Sequence, residues 1–321
     1  MKFDKYGYDN VTLENLKFRR FTIKELNGVI PEFNRQYPST PEMAFLSKSA
    51  HVLDMESIRW YIRHQQSPPK MIGMLTKVGH DTVQFNARRG GIVSIWEAPV
   101  PHREYIIGVD TAEGFDSGDY SCAYVVSRLP YRIVARLRGA EGRAVRLQEL
   151  VEQLRALGCY YNMGWICVEN NSGGEAVTQL LARDGYPSQI RESLITRQPC
   201  PRFGWRNTQG GGGTRDRGVA MLQEVIANRH IGIPDSMFFE ESHHFHYVNG
   251  RPQAARKGQG GVGAHDDCII ALIGALLAND VLPRAKTERE VQQSLHASKE
   301  RKATLKQRKD SRRYTSPYNY V

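Results

Sequence analysis

Four carboxylates stand where apolar runs begin or end. EYIIGVDT (104–111) stops on Asp110, GWICVEN (164–170) stops on Glu169, and HDDCIIALIGALLAND (265–280) opens on Asp266 and Asp267. The ends of strands in open α/β sheets are where ligands bind. Carboxylates gathered with no Lys or Arg between them repel one another, and their natural partner is a hard divalent cation with oxygen ligands. Mg²⁺ or Mn²⁺ fits that donor set. Two such ions, roughly 3.5–4 Å apart, clamp the attacking and leaving oxygens of a phosphodiester. The chemistry expected is metal-dependent phosphodiester hydrolysis. Taken singly, each acid has a plainer account: Asp110 as a turn residue before Thr111 and Gly114, Glu169 as a cap on the loop that follows it, Asp266 or Asp267 as a helix N-cap. Three independent caps in this order explain less than one shared site.

The elements that must bring these acids together follow from periodicity. Runs 104–111, 121–128 and 131–139 read as three strands in an antiparallel meander, with a tight turn at Leu129 and Pro130. Residues 143–158 carry Val145, Leu147, Leu150, Val151, Leu154 and Leu157 at helical spacing, and Gly158 reads as the helix stop. A fourth strand over 164–170 is expected beside the first. A helix over 174–183, a weak extended piece near 189–192, a helix over 215–228, a short strand at 230–234 and a buried helix from 265 complete the order. That order is α/β and matches a ribonuclease-H-like fold, a mixed central sheet flanked by helices. Residues 1–85 read as irregular with short helical pieces. The prolines at 99 and 101 place a boundary near 96, giving a leader (1–95), a nuclease-like domain (96–283) and a C-terminal tail (284–321).

Charge divides along the same lines. The chain's net +10 is mostly the tail, which holds eleven Lys and Arg against four acids, +7, and leaves +3 for residues 1–283. Such a tail suits nucleic acid or an acidic partner, or is simply solvated. Arg202, Arg206, Arg215, Arg217 and Lys257, with Trp205 and Tyr247 interleaved, are candidates to line a nucleic-acid path through phosphate contacts. His265, beside the Asp pair, is placed to meet a phosphate or orient water. His243, His244 and His246 lack further ligands at zinc-finger spacing and read as structural or surface residues. The GGGG run (210–213) leads into Thr214 and Arg215 without a phosphate-binding lysine and reads as a flexible loop. The five cysteines form no C-x-x-C pair and read as small core residues of a reducing compartment. No apolar stretch approaches the roughly 20 residues of a membrane span, and no signal peptide is evident at the N-terminus.

YIIGVDTAEGFDSGDYS (105–121), ICVENNSGG (166–174), Gly204–Trp205 followed by the helix from Thr214, and HDDCIIALIGAL (265–276), in this order, resemble the nuclease domain of the large terminase subunit of tailed bacteriophages. YPSTPEMAFL (37–46) resembles the stretch that follows the motor domain in that family. The resemblance implies a ribonuclease-H-like endonuclease that cuts concatemeric viral DNA with two metal ions. Asp110, Glu169 and the Asp266/Asp267 pair match the family's metal-binding acids, Asp119 matches a further acidic position, and the family segment around Glu241 also carries an acid. It further implies double-stranded DNA as substrate, the portal protein and the small terminase subunit as partners, and action in the host cytoplasm and at the procapsid. The family's P-loop ATPase signature, G-x-x-x-x-G-K-[ST], is absent from these 321 residues, so no nucleotide-binding residue is expected among them. The rival expectations are a Holliday-junction resolvase or integrase-type nuclease on the same fold, and a catalytically dormant module that docks on portal or DNA.

Overall fold

The computed structural model describes residues 12–25, 37, 51–79, 82–112, 120–139, 145–171, 173–210, 212–248, 250–254, 265–294, 296–297, 300 and 304–305. In chain order its elements are α1 (Leu13–Glu25), α2 (Met55–His64), β1 (Met71–Lys77), β2 (Val83–Ala87), β3 (Val93–Ile95), β4 (Tyr105–Asp110), β5 (Cys122–Arg128), β6 (Tyr131–Arg138), α3 (Leu147–Tyr160), β7 (Trp165–Val168), α4 (Gly174–Arg183), α5 (Glu192–Thr196), α6 (Thr214–Ala227), α7 (Ser236–His244), β8 (Phe245–Val248), β9 (Arg251–Ala254) and α8 (Asp267–Val281).

Seven strands form one sheet in the order β2-β1-β3-β6-β5-β4-β7, and β8 and β9 make a separate hairpin. The expected meander is β4–β5–β6, antiparallel throughout, and β7 joins β4 in parallel. Strand β4 is the pivot. It is buried on both faces, so its sequence is a continuous apolar run rather than an alternation. Ile106 faces an apolar layer built with Ile58, Leu222, Phe238 and Ile269 of α2, α6, α7 and α8, while Ile107 and Val109 face a second layer with Leu150 and Leu154 of α3 and Val177 and Leu181 of α4.

Helix α8 lies directly across β4. A Cβ on Gly108 would stand 2.0 Å from the Ala271 carbonyl oxygen, so only glycine lets the helix come this close. From Asp267 to Ala278 every residue of α8 is buried, as its nearly all-apolar sequence requires. Among the described residues no helix is long and apolar enough to cross a membrane.

Three expectations change. The boundary near 96 runs through one continuous sheet, because β1, β2 and β3, within the stretch read as irregular leader, extend it by pairing β3 with β6. Gly158 lies inside α3, not at its end; a Cβ there would meet the Tyr186 hydroxyl at 2.1 Å, so it serves close packing. The 230–234 piece forms one bridge, Gly232 to Arg132, and no strand, and the 189–192 piece likewise only bridges Ile166 and Phe203 through Gln189 and Arg191. The 37–46 segment lies outside the described residues except for Tyr37, and so does most of the basic tail.

Candidate functional site

The site forms at the carboxyl ends of β4 and β7. Asp110 is the last residue of β4 and stands opposite Cys122, which in turn stands opposite Arg138. Parallel pairing carries one step past β7: the Glu169 amide donates to the Val109 carbonyl at 2.8 Å, which sets Glu169 beside Asp110. The two carboxyls face each other closely enough that the charge of Glu169 raises Asp110. Asp266 and Asp267 at the start of α8 complete the group and add their negative charge at Asp110.

The electrostatics follow from the geometry. Loss of hydration, then Glu169 and Asp267, push the Asp110 carboxyl well above the ordinary aspartate range. Glu169 is also raised by burial, against the pull of Asp110 and Asn207. Asp267 is raised to about 6 by burial, although Arg138 works the other way. Each acid would be relieved by a cation, and the donors are hard carboxylate oxygens of the kind Mg²⁺ and Mn²⁺ take. In that respect the residues fit the metal.

One expectation about this edge is corrected. The acids are not free of basic neighbours. Arg215 Nη2 donates to Asp266 Oδ2 at 2.8 Å, and Arg138 Nη2 donates to Asp267 Oδ2 at 3.2 Å. With two acids turned to guanidinium groups, no three Asp, Glu, His or Cys side chains among the described residues stand together as a ready-made cage. The plain reading of Asp266 as a side-chain N-cap also falls, because it makes no capping bond. Glu241 of α7 does that work: its Oε2 accepts from the Cys268 and Ile269 amides at 2.8 and 3.3 Å. Burial, then the Cys268 thiol and Asp267, hold Glu241 well above the usual carboxylate range.

The other candidates divide. His265 Nδ1 lies 3.9 Å from Asp267 Oδ2, and its ring meets Tyr120 edge-on. Arg215 is buried and spends its donors on the Pro252 carbonyl and on Asp266, so it is a strut between the hairpin and α8 rather than an open phosphate contact. Arg217 is bound to the Ile195 carbonyl and Asp280. Arg202 is paired with Glu192 at 3.1 Å yet stays largely open to solvent, and Arg206 is exposed. Asp119 and Lys257 lie outside the described residues.

The GGGG run (210–213), read as a flexible loop, is tied at its described residues and by the threonines on either side. The Thr208 and Thr214 side chains are hydrogen-bonded at 3.1 Å, Gly210 N donates to Asp216 at 2.9 Å, and Gly213 N donates to the Gly210 carbonyl at 3.1 Å. The histidine group is structural in its contacts: His243 Nδ1 bonds the Phe239 carbonyl, His246 bonds the His243 carbonyl, and His51 packs edge-on against His246.

Sequence reasoning missed Asn207 and Arg138. Asn207 lies beside Glu169 and works against the rise in its pKa, and its backbone is held at both ends by Asn171, whose Oδ1 accepts from Asn207 N at 2.9 Å and whose Nδ2 donates to the Asn207 carbonyl at 3.0 Å. Nothing in the local sequence around 207 marks it. Arg138 is one of three arginines in β6, and nothing in the sequence sets it apart from Arg132 and Arg136.

A mixed sheet with half-buried acids at the carboxyl ends of two adjacent parallel strands, and an apolar helix delivering two more, defines a ribonuclease-H-like nuclease domain. The family model of the terminase RNaseH-like domain matches residues 107–279, more than half the chain, and the chain belongs to that family. Solved structures similar to it include the large terminase nuclease of thermophilic phage G20c with bound magnesium, 18% identical over 64% of this chain and 92% of that one with a TM-score of 0.45. The large terminase nuclease domain of Thermus phage P74-26 is also 18% identical, over 64% and 89%, at a TM-score of 0.42. The large terminase of a further thermophilic bacteriophage is 12% identical over 55% and 40%, at 0.37. No match was found among curated protein sequences.

Proposed function

We propose that this terminase nuclease domain is a divalent-metal-dependent endonuclease that cuts concatemeric viral DNA during packaging. The observation that carries the reading is the β4–β7 register that sets Asp110 and Glu169 side by side at the end of the sheet, with Asp266 and Asp267 adding their charge at Asp110. Asp110, Glu169, Asp266 and Asp267 would hold the ions. Two bound ions supply Lewis-acid stabilisation of the charge that develops at the phosphodiester. The chain's own part is to hold four carboxylates on rigid elements, with Asp266 and Asp267 kept in place by Arg215 and Arg138. Asp110 and Glu169 are fixed by the β4–β7 register. Exposed Arg202 and Arg206 are suited to duplex phosphates, which add affinity without reading sequence.

The G20c nuclease has itself been solved with magnesium, cobalt and zinc bound. In the packaging machine the partners would be the portal protein and the small terminase subunit, in the host cytoplasm and at the procapsid. The test is plasmid cleavage by the full chain in Mg²⁺ or Mn²⁺. Cleavage that needs the metal and is lost in Asp110→Ala supports the reading; undiminished cleavage by Asp110→Ala overturns it.

A further inference from the structure

Arg138 and Glu241 approach the acid edge from behind, and together they form a charge-sharing unit. Arg138 is the last residue of β6, buried, with its guanidinium 4.8 Å from the centre of the Tyr120 ring. A single nitrogen, Nη2, donates both to Asp267 Oδ2 at 3.2 Å and to Glu241 Oε1 at 3.4 Å. Both bonds are long for a charge-assisted pair, which is about 2.7–2.9 Å at full strength. Glu241 is itself pinned, because its other oxygen takes the Cys268 and Ile269 amides. It cannot follow Arg138, and Arg138 cannot leave its strand register opposite Cys122.

The consequence is a matter of sign. A guanidinium 3.2 Å from Asp267 opposes any other cation that would use the same carboxylate, by direct Coulomb repulsion. Glu241, at comparable distance, divides that guanidinium's attention and offsets its charge. We propose that Glu241 and Arg138 are positioning residues that set the divalent-cation affinity of the acid edge, with Glu241 keeping Asp267 only loosely held by Arg138 and therefore able to turn to a cation. This rests on the metal-dependent reading above. Neither residue need touch the ion. Glu241 fixes where α8 begins, and Arg138 fixes which way Asp267 faces until a cation competes for it.

The two residues then act with opposite sign, which an ordinary structural role does not produce. Glu241→Gln keeps a side-chain oxygen for the two amides but removes the charge, so Arg138 falls wholly to Asp267. Arg138→Gln removes the competing cation. The measurement is calorimetric titration of Mn²⁺ into the full chain after chelator treatment, at low salt, with circular dichroism to establish folding. Mn²⁺ dissociation constants about three- to tenfold higher in Glu241→Gln and lower by a similar factor in Arg138→Gln are expected from one charge acting across a partly screened site. The double variant should return close to the parent, and Arg138→Lys, which keeps the charge without the fork, should stay close to it as well. Shifts of the same sign in both single variants, or none in either, overturn the inference. If Arg138→Gln does not fold, Glu241→Gln decides alone: unchanged or tighter binding overturns it. A parent chain that binds no Mn²⁺ overturns the metal reading beneath it; binding that Asp110→Asn abolishes while both single variants leave it unmoved overturns the inference alone.

Discussion

Two buried acid groups sit on the same sheet, and they are built in opposite ways. Asp235, at the N-cap of α7, accepts from the Tyr124 hydroxyl at 2.6 Å, from Arg136 Nη1 through both oxygens at 2.6 Å, and from the Met237 amide at 3.2 Å. Asp110 has another carboxyl for its neighbour instead. Strand β6 supplies an arginine to each region, Arg136 to Asp235 and Arg138 to the acid edge, two residues apart and so on one face of the sheet. Around Asp235 both carboxylate oxygens accept and the charge is paired with Arg136. At the edge, a single Arg138 is spread over Glu241 and Asp267, Arg215 takes Asp266, and Asp110 and Glu169 face each other. A folded chain tolerates such a deficit only where something else completes it, and the difference separates an acid that holds the fold from acids kept ready for a ligand.

Substitution breaks this comparison most sharply. Asp110→Asn should lower metal-dependent plasmid cleavage by at least about 10²–10³-fold, the loss typical of a group that manages transition-state charge. Its thermal midpoint without metal should hold or rise, because a repulsive carboxylate has been removed. Asp235→Asn should do the reverse. It strands Arg136 and weakens a buried pair, at a cost of about 3–5 kcal/mol in urea unfolding, with cleavage per folded molecule retained.

A smaller effect lies in pH. A carboxyl whose folded pKa is raised binds its proton more tightly in the folded chain, so its favourable contribution is present at low pH and is lost as pH rises through the folded value. For Asp267 the window runs from its ordinary value near 4 to about 6, and for Asp110 it extends upward from there. In chelator, the stability of the parent relative to Asp267→Asn should therefore fall between about pH 4 and pH 7, on the order of 2 kcal/mol. His51, which burial and then its histidine neighbours hold down to about 4, contributes the opposite slope and cancels in that difference. Mg²⁺ at about 100 times its dissociation constant should restore about 2.7 kcal/mol to the parent at neutral pH and much less to Asp110→Asn. A matching slope in the parent and Asp267→Asn would put the two acid groups on the same footing.

The smallest effect concerns the exposed rim. Arg202→Ala removes a pair with Glu192 that is nearly half open to solvent, so unfolding should change by less than about 1 kcal/mol. If Arg202 meets a phosphate, DNA affinity should weaken evenly across sequences and the salt slope should drop by about one.

Much of the site was legible because its acids interrupt apolar runs. A strand buried on both faces has no reason to end on aspartate, and Asp110, Glu169 and the α8 acids stood out for that reason. The added strands were harder to read. MIGMLTK and VQFNA alternate weakly, because β2 lies at the sheet edge and β1 beside it is only partly covered, so their pairing with β3 and β6 left little periodic trace. Gly158 was misread because a glycine needed for contact with Tyr186 looks locally like a helix stop. Asn207, Glu241 and Arg138 were weakly signalled or silent as partners of the acids, since each acts on a residue 27 to 129 positions away or, for Asn207, across a chain crossing beside β7.

Sequence by itself determined the elements that carry the acids, the three-strand meander, the fourth strand beside it and the last buried helix, together with the four acids at their ends and the family, since hydrophobic period and interrupted runs are local properties of the chain. Tertiary structure alone decided that the first three strands belong to the same sheet, that Asp110 and Glu169 stand side by side, that Glu241 caps α8, and that two arginines hold the α8 acids. Those are outcomes of long-range packing. Which carboxylate keeps a partner and which is left short depends on what the fold brings within about 3 Å, and spacing along the chain does not encode that distance.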